Sequence, residues 1–136
     1  MILRWLSGLS ALLLAFPALA ALPLTPFEQA PTKPLPRSAV ISTYLHELDA
    51  ASSLASVTNL GLSAGKRPVE ALLISDDPQF LRDGQPSAQR LTVMLVGSQH
   101  GNEPSGTEVL QILARRLLDG ELTPWLQQIN FVVVAL

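Results

Sequence analysis

The sequence contains no cysteine. That excludes a disulfide-stapled scaffold, and it excludes a lipidated cysteine behind an export signal. A basic stripe is also missing. Nine Lys and Arg stand against 11 Asp and Glu, for a formal charge of −2, so the electrostatic footprint of a nucleic-acid binder is absent. Nor is there an apolar run that comfortably spans a bilayer. The longest candidate, WLSGLSALLLAF, falls short of the roughly 20 residues a transmembrane helix needs.

What that N-terminal stretch does have is the order of an export signal. Arg4 gives a positive start, the apolar core follows, and Pro17 breaks it. Ala18-Leu19-Ala20 then supplies a small-x-small cleavage pattern. Residues 1–20 are therefore expected to be a signal peptide cleaved after Ala20. The competing reading, an uncleaved anchor, suffers from the short apolar run. Export places the mature chain in the periplasm or outside the cell, with no stable membrane anchor.

Residues 21–37, ALPLTPFEQAPTKPLPR, hold five prolines and read as an extended leader. From Ser38 the pattern changes. Val40, Ile41, Tyr44, Leu45 and Leu48 fall at helical spacing, with Ser38 as candidate N-cap. SVTNLGLS and VEALLIS read as strands joined by the turn chemistry of SAGKRP. DDPQFLRDGQPSAQR reads as a polar loop. LTVMLVG has almost no polarity and reads as a strand buried on both faces.

PSGTEVLQILARRLLDG is an amphipathic helix with Val109, Leu110, Ile112, Leu113 and Leu117 on its apolar side. Arg115 and Arg116 sit where the helix dipole favours cations, as a solvated end, and Gly120 can close the helix. INFVVVAL is a further buried strand pattern. The alternation predicts an α/β fold with a mixed, partly parallel sheet flanked by helices. Leu136 falls inside an apolar β-run, so residues 38–136 are expected to be the N-terminal part of a larger domain.

Between the LTVMLVG strand and the following helix stands SQHGNEPSG, polar where both flanks are apolar. Gly97 ends the strand and Pro104 suits the first helical turn. His100 and Glu103 therefore fall on a strand-to-helix loop, at the carboxyl end of a strand, where open α/β sheets bind ligands. An imidazole nitrogen and a carboxylate together suit zinc. Alone, H-x-x-E is a short pattern, and a single histidine at a strand end is often just a hydrogen-bonded surface group.

Other constellations compete. Gly61-Leu62-Ser63-Ala64-Gly65 matches the G-x-S-x-G nucleophile elbow, but that elbow follows a buried strand and opens a helix. Here Lys66-Arg67-Pro68 and a strand follow the serine. His46-Glu47 starts like H-E-x-x-H, with Ala50 where the second histidine belongs, so a solvated helix face is the simpler reading. Asp76-Asp77 before Pro78 reads as a strand-ending turn rather than a catalytic pair. Trp125 beside Pro124 reads as a packing residue.

The succession of elements around HGNEPSG resembles the N-terminal half of the zinc carboxypeptidases. LGLSAGKRPVEALLIS is similar to that family's first β-hairpin, and LTVMLVGSQHGNEPSG to the next strand with its His-x-x-Glu zinc pair. The resemblance implies a zinc-dependent peptidase acting on peptides through zinc-activated water. Carried over, His100 and Glu103 match two of three zinc ligands. It further implies a third histidine, an Asn-Arg pair and a general-base glutamate beyond Leu136.

His46 precedes the hairpin on a helix and does not match the third ligand. Lys66 departs from the family by occupying the glycine position of its Gly-Arg-Pro turn. Asn102 departs too, standing where digestive members carry a substrate-contacting arginine, which leaves the substrate class open. The same HGNE is similar to the amidohydrolases that resemble aspartoacylase and succinylglutamate desuccinylase. Murein peptide amidase, acting on peptidoglycan stem peptides, and a non-catalytic binding domain are the further alternatives.

Overall fold

The computed structural model describes residues 21–31 and 34–135; the expected signal peptide lies outside the described residues. Four strands form one mixed sheet in the order β1-β2-β4-β3. Strands β1 (Ala55–Leu62) and β2 (Pro68–Ile74) make an antiparallel hairpin, and β2 pairs antiparallel with β4 (Ile129–Val134). β3 (Leu91–Val96) pairs parallel with β4, from Leu91 opposite Ile129 to Val96 opposite Val134. A parallel pair needs a long crossover. Helix α4 (Pro104–Leu118) and a short 3-10 helix (Thr123–Gln127) supply it. The mixed α/β architecture is the one expected from the alternation of patterns.

Side-chain alternation decides what each sheet face does. Leu72, Ile74, Val133 and Ala135 point to one face, where α2 (Ser38–Ala51) and α4 cover them. From α2 come Ile41, Tyr44, Leu45 and Leu48, at the helical spacing that places all four on one side. Full burial of each such aliphatic side chain is worth roughly 1.5–3 kcal/mol against exposure. From α4 come Leu110, Ala114 and Leu117, but also the polar Thr107 and Gln111. Val109 was expected on the apolar side, yet it is exposed. Ser38 is the first helical residue rather than the cap, and Arg37 holds the cap position with no side-chain bond.

Two proline-containing segments hold more structure than their composition suggests. In the leader, Pro26–Gln29 forms a helical turn, α1, behind Thr25. Proline fits there because the first helical residue needs no N–H partner. Thr25 Oγ1 accepts from Glu28 N, and Thr25 N donates to Glu28 Oε2 at 2.8 Å, a complete capping box. The supposed polar loop contains a second such case, α3 (Pro78–Asp83). Asp77 caps it by accepting from Gln79 N, and Gly84 closes it in the left-handed region at φ 69°. Phe80 of this helix is fully buried on the sheet face that carries Ala71 and Leu73.

The leader is also docked. Thr25 Oγ1 donates to Glu108 on α4, and the Glu28 carboxylate takes Arg115 Nη2 at 2.8 and 3.1 Å. Arg115 is thus a buried-side partner of the leader, not the solvated helix end its position suggested. Tyr44 donates its hydroxyl to Pro23 O at 3.3 Å. Burial pushes the Tyr44 pKa well above its ordinary value of 10.0, against the opposing pull of Arg115, so this hydroxyl stays protonated and donating.

β3 departs from its expected burial on both faces. Among the described residues it has one strand neighbour, and Leu91, Met94 and Val96 are exposed. Only Val93 and Leu95 lie partly covered on the helix-packed side. Trp125 is exposed as well, and the adjacent Leu126 is the residue that packs. No helix among the described residues is long and apolar enough to cross a membrane.

Candidate metal centre

β3 delivers the chain to the carboxyl end of the sheet, where Gly97 N still donates to Val134 O at 2.8 Å. There the backbone of the strand end and that of the next helix touch. A Cβ on Gly97 would sit 3.0 Å from the carbonyl carbon and oxygen of Gly106 and from Leu110 Cδ1. Glycine on both sides is what permits this approach. The loop of residues 98–103 therefore leaves the strand and re-enters α4 within a short span.

Within it, Glu103 N donates to His100 O at 3.0 Å, which closes a turn. The two side chains then face each other, with His100 Nδ1 3.1 Å from Glu103 Oε2. They remain 71% and 60% exposed respectively.

The donor set is one that zinc accepts. Donors about 2.0–2.1 Å from a tetrahedral zinc lie about 3.3–3.4 Å from each other. The 3.1 Å between them is close to that separation, so in donor type and spacing the pair is compatible with two ligands. Among the described residues no group of three or more His, Cys, Asp or Glu comes together as a metal site. Gly101 and Pro104 border a cavity of about 700 Å³ with Phe27, Ile41 and Val109 in its apolar walls and Arg67 among its lining residues. His100 and Glu103 stand beside this cavity and do not line it.

The competing constellations resolve as structure. Ser63 lies in the β1–β2 hairpin turn, where its hydroxyl accepts from Arg67 N at 3.1 Å; no helix follows it. Lys66 takes φ 56° in that turn, the left-handed conformation that a glycine would adopt without strain. Asp76 pairs with Arg90, which also donates to Leu126 O, and Asp77 caps α3. None of these residues approaches His100 and Glu103 as a shared site.

His46 is engaged elsewhere. Its Nε2 lies 3.2 Å from Glu70 Oε1, while Ser42 donates to Glu70 Oε2 at 2.6 Å, tying α2 to β2. The Ser42 hydrogen bond chiefly, with His46 assisting, lowers the Glu70 pKa below its ordinary 4.5 despite partial burial. A lowered folded-state pKa stabilises the fold at neutral pH, and this is lost as pH falls below about 4.5 and through the depressed value. Ser42→Ala should therefore lower the thermal midpoint at pH 7, by an amount corresponding to roughly 1–2 kcal/mol. The gap between variant and wild type should narrow in thermal scans taken toward pH 3; a gap that stays constant across that range would contradict it.

Sequence reasoning did not single out Ser98 and Thr107. Ser98 has φ 47°, and its hydroxyl meets both Thr107 Oγ1 and Glu103 O, the latter at 3.1 Å. Thr107 in turn donates to Ala135 O at 2.6 Å. No sequence signal marks a serine for positive φ. The two glycines, nine residues apart, were the available hint that the backbones touch.

Comparison with known proteins addresses the family and the fold. Residues 41–136 match the family model described as zinc carboxypeptidase. The chain belongs to the zinc carboxypeptidase family. Among solved structures, it is similar to a metallo-carboxypeptidase from Burkholderia cenocepacia, with 19% identity and a TM-score of 0.60. That likeness covers 74% of this chain and 26% of the other. It is also similar to the carboxypeptidase A from Helicoverpa armigera, at 20% identity and TM-score 0.57, covering 75% of this chain and 24% of that one. These likenesses show the zinc carboxypeptidase fold. The chain spans about a quarter of the length of the structures it matches. No curated protein matches it.

Proposed function

We propose that this chain is the N-terminal part of a zinc-dependent peptidase, a metallocarboxypeptidase that hydrolyses a terminal peptide or amide bond. The observation that carries the reading is the pair of donors, His100 Nδ1 and Glu103 Oε2, facing each other 3.1 Å apart at the carboxyl end of a parallel strand. Zinc bound by two such side chains and a third ligand lowers the pKa of a water and polarises the scissile carbonyl. The chain's own contribution is to present one neutral ring nitrogen and one carboxylate on a short, closed turn. The third ligand, the general base and the groups that hold a substrate carboxylate come from other parts of the protein in this reading.

The cavity beside Gly101 and Pro104 supports a peptide substrate, since its mostly apolar walls offer room for side chains next to the metal pair. Export, expected from residues 1–20, places the enzyme in the periplasm or outside the cell. Peptidoglycan stem peptides belong to the substrates within reach there.

Two ligands and no base make a half-site. Residues 21–136 alone are expected to bind zinc weakly and to cleave no peptide. Calorimetry with zinc checks this; tight stoichiometric uptake by the isolated segment would contradict it. The full-length protein, given zinc and a panel of peptides with free or blocked carboxyl ends, tests the activity. Release of the terminal residue, stopped by a chelator, supports the carboxypeptidase. Cleavage of acylated amino acids in its place supports the amidohydrolase alternative, and peptide binding without turnover identifies a binding domain.

A further inference from the structure

We propose that Thr107 and Ser98 are positioning residues for the metal loop, acting through a two-hydroxyl chain bolted to the end of β4. The proposal rests on the reading of His100 and Glu103 as zinc ligands and adds what holds them in register.

Hydrogen bookkeeping sets the direction of the chain. Thr107 has one hydroxyl hydrogen and gives it to Ala135 O at 2.6 Å. The contact between the two hydroxyls therefore needs the Ser98 hydrogen, which Ser98 shares between Thr107 Oγ1 and Glu103 O at 3.1 Å. One end of the chain is thus the backbone of the central strand. The other end is the carbonyl of a metal-ligand residue. Thr107 is only 6% exposed, and it and Ser98 lie along the cavity beside the loop.

Position along the chain makes this consequential. Ser98 precedes His100 by two residues, and Thr107, in the first turn of α4, follows Glu103 by four. The pair brackets the whole loop. Ser98 adopts φ 47°, a conformation L residues rarely take, with its hydroxyl bonded to Thr107 and to Glu103 O. The contact of Gly97 with Gly106 brings the two hydroxyl-bearing backbones close enough to bond. A role confined to helix packing would need only the bond from Thr107 to Ala135; the Ser98 arm reaches back to the loop.

Four variants separate these cases: Thr107→Val, which keeps the shape without the hydroxyl, Thr107→Ser, which restores it, Ser98→Ala and Ser98→Gly. In the metal-free chain, NMR reads amide exchange at Glu103, whose N–H bonds His100 O, together with the His100 ring signals. Circular dichroism confirms folding. Thr107→Val and Ser98→Ala are expected to speed Glu103 exchange about fivefold to tenfold and to shift the His100 signals. Thr107→Ser should return both to wild type. Ser98→Gly relieves the backbone strain yet loses the hydroxyl, so it too should free the loop, and it decides the matter if Thr107→Val does not fold.

A folded Thr107→Val or Ser98→Gly with unchanged Glu103 exchange and His100 signals overturns the positioning role and leaves the zinc reading intact. In the full-length protein, zinc affinity by chelator competition should fall about fivefold to tenfold in Thr107→Val and recover in Thr107→Ser. Zinc that leaves the His100 signals of the full-length wild type unmoved overturns the metal reading itself, and this role with it.

Discussion

His100→Ala and Glu103→Ala are each expected to abolish peptide hydrolysis by the full-length protein while leaving its fold intact. Both side chains are mostly exposed, and their one shared contact is with each other. Removing either costs within about 0.5 kcal/mol of stability, as surface substitutions do. For a metal the same change is severe, because a ligand is lost rather than adjusted. Loss of an outer-shell partner already weakens metal binding roughly 10–100-fold, and loss of a ligand exceeds that. The expected pattern is therefore a collapse of kcat/KM with a thermal midpoint equal to that of zinc-stripped wild type. Equal activity in Glu103→Ala and wild type, at saturating zinc, would remove the carboxylate from the site.

Phe80→Ala is expected to have the opposite profile, a large loss of stability with no direct action on the site. Phe80 is fully buried beneath α3, against the sheet face that carries Ala71 and Leu73. Truncating a buried phenylalanine costs about 3–5 kcal/mol, from the lost transfer of the ring and the cavity left behind. Against total stabilities of about 5–15 kcal/mol, that is a large fraction. Denaturant unfolding of the variant measures it. A cost under about 1 kcal/mol would mean that α3 does not seal this face.

Phe80 also shows where the sequence stops being readable. α2 and α4 were legible because four or more apolar residues recur at helical spacing, and the strands because β-branched and apolar residues cluster between turn signals. α3 has six residues, too few for periodicity to speak. Its signals were the ends, Asp77-Pro78 and Gly84, which also suit a loop. β3 is as apolar as β4, but apolarity does not say how many neighbours a strand has. Among the described residues β3 has one neighbour and leaves Leu91, Met94 and Val96 exposed, whereas β4 between two strands is largely covered.

The site divides the same way. His100 and Glu103 were legible because a glycine ends the strand before them and a proline starts the helix after them, which leaves the loop nowhere else to be. The hydroxyl chain through Ser98 and Thr107 depends on a backbone approach and a positive φ that no residue type announces. The tie between Glu28 and Arg115 spans 87 residues of sequence, and one pair of opposite charges among 20 Lys, Arg, Asp and Glu residues cannot be picked out by reading. Local chemistry was readable; contacts made by the fold were not.

The most direct measurement is the zinc content of the full-length protein and of its His100→Ala and Glu103→Ala variants, after dialysis against a weak chelator. A single equivalent of zinc per wild-type chain, absent from both folded variants, is the predicted result. Zinc retained in full by either variant would contradict the assignment of His100 and Glu103 as its ligands.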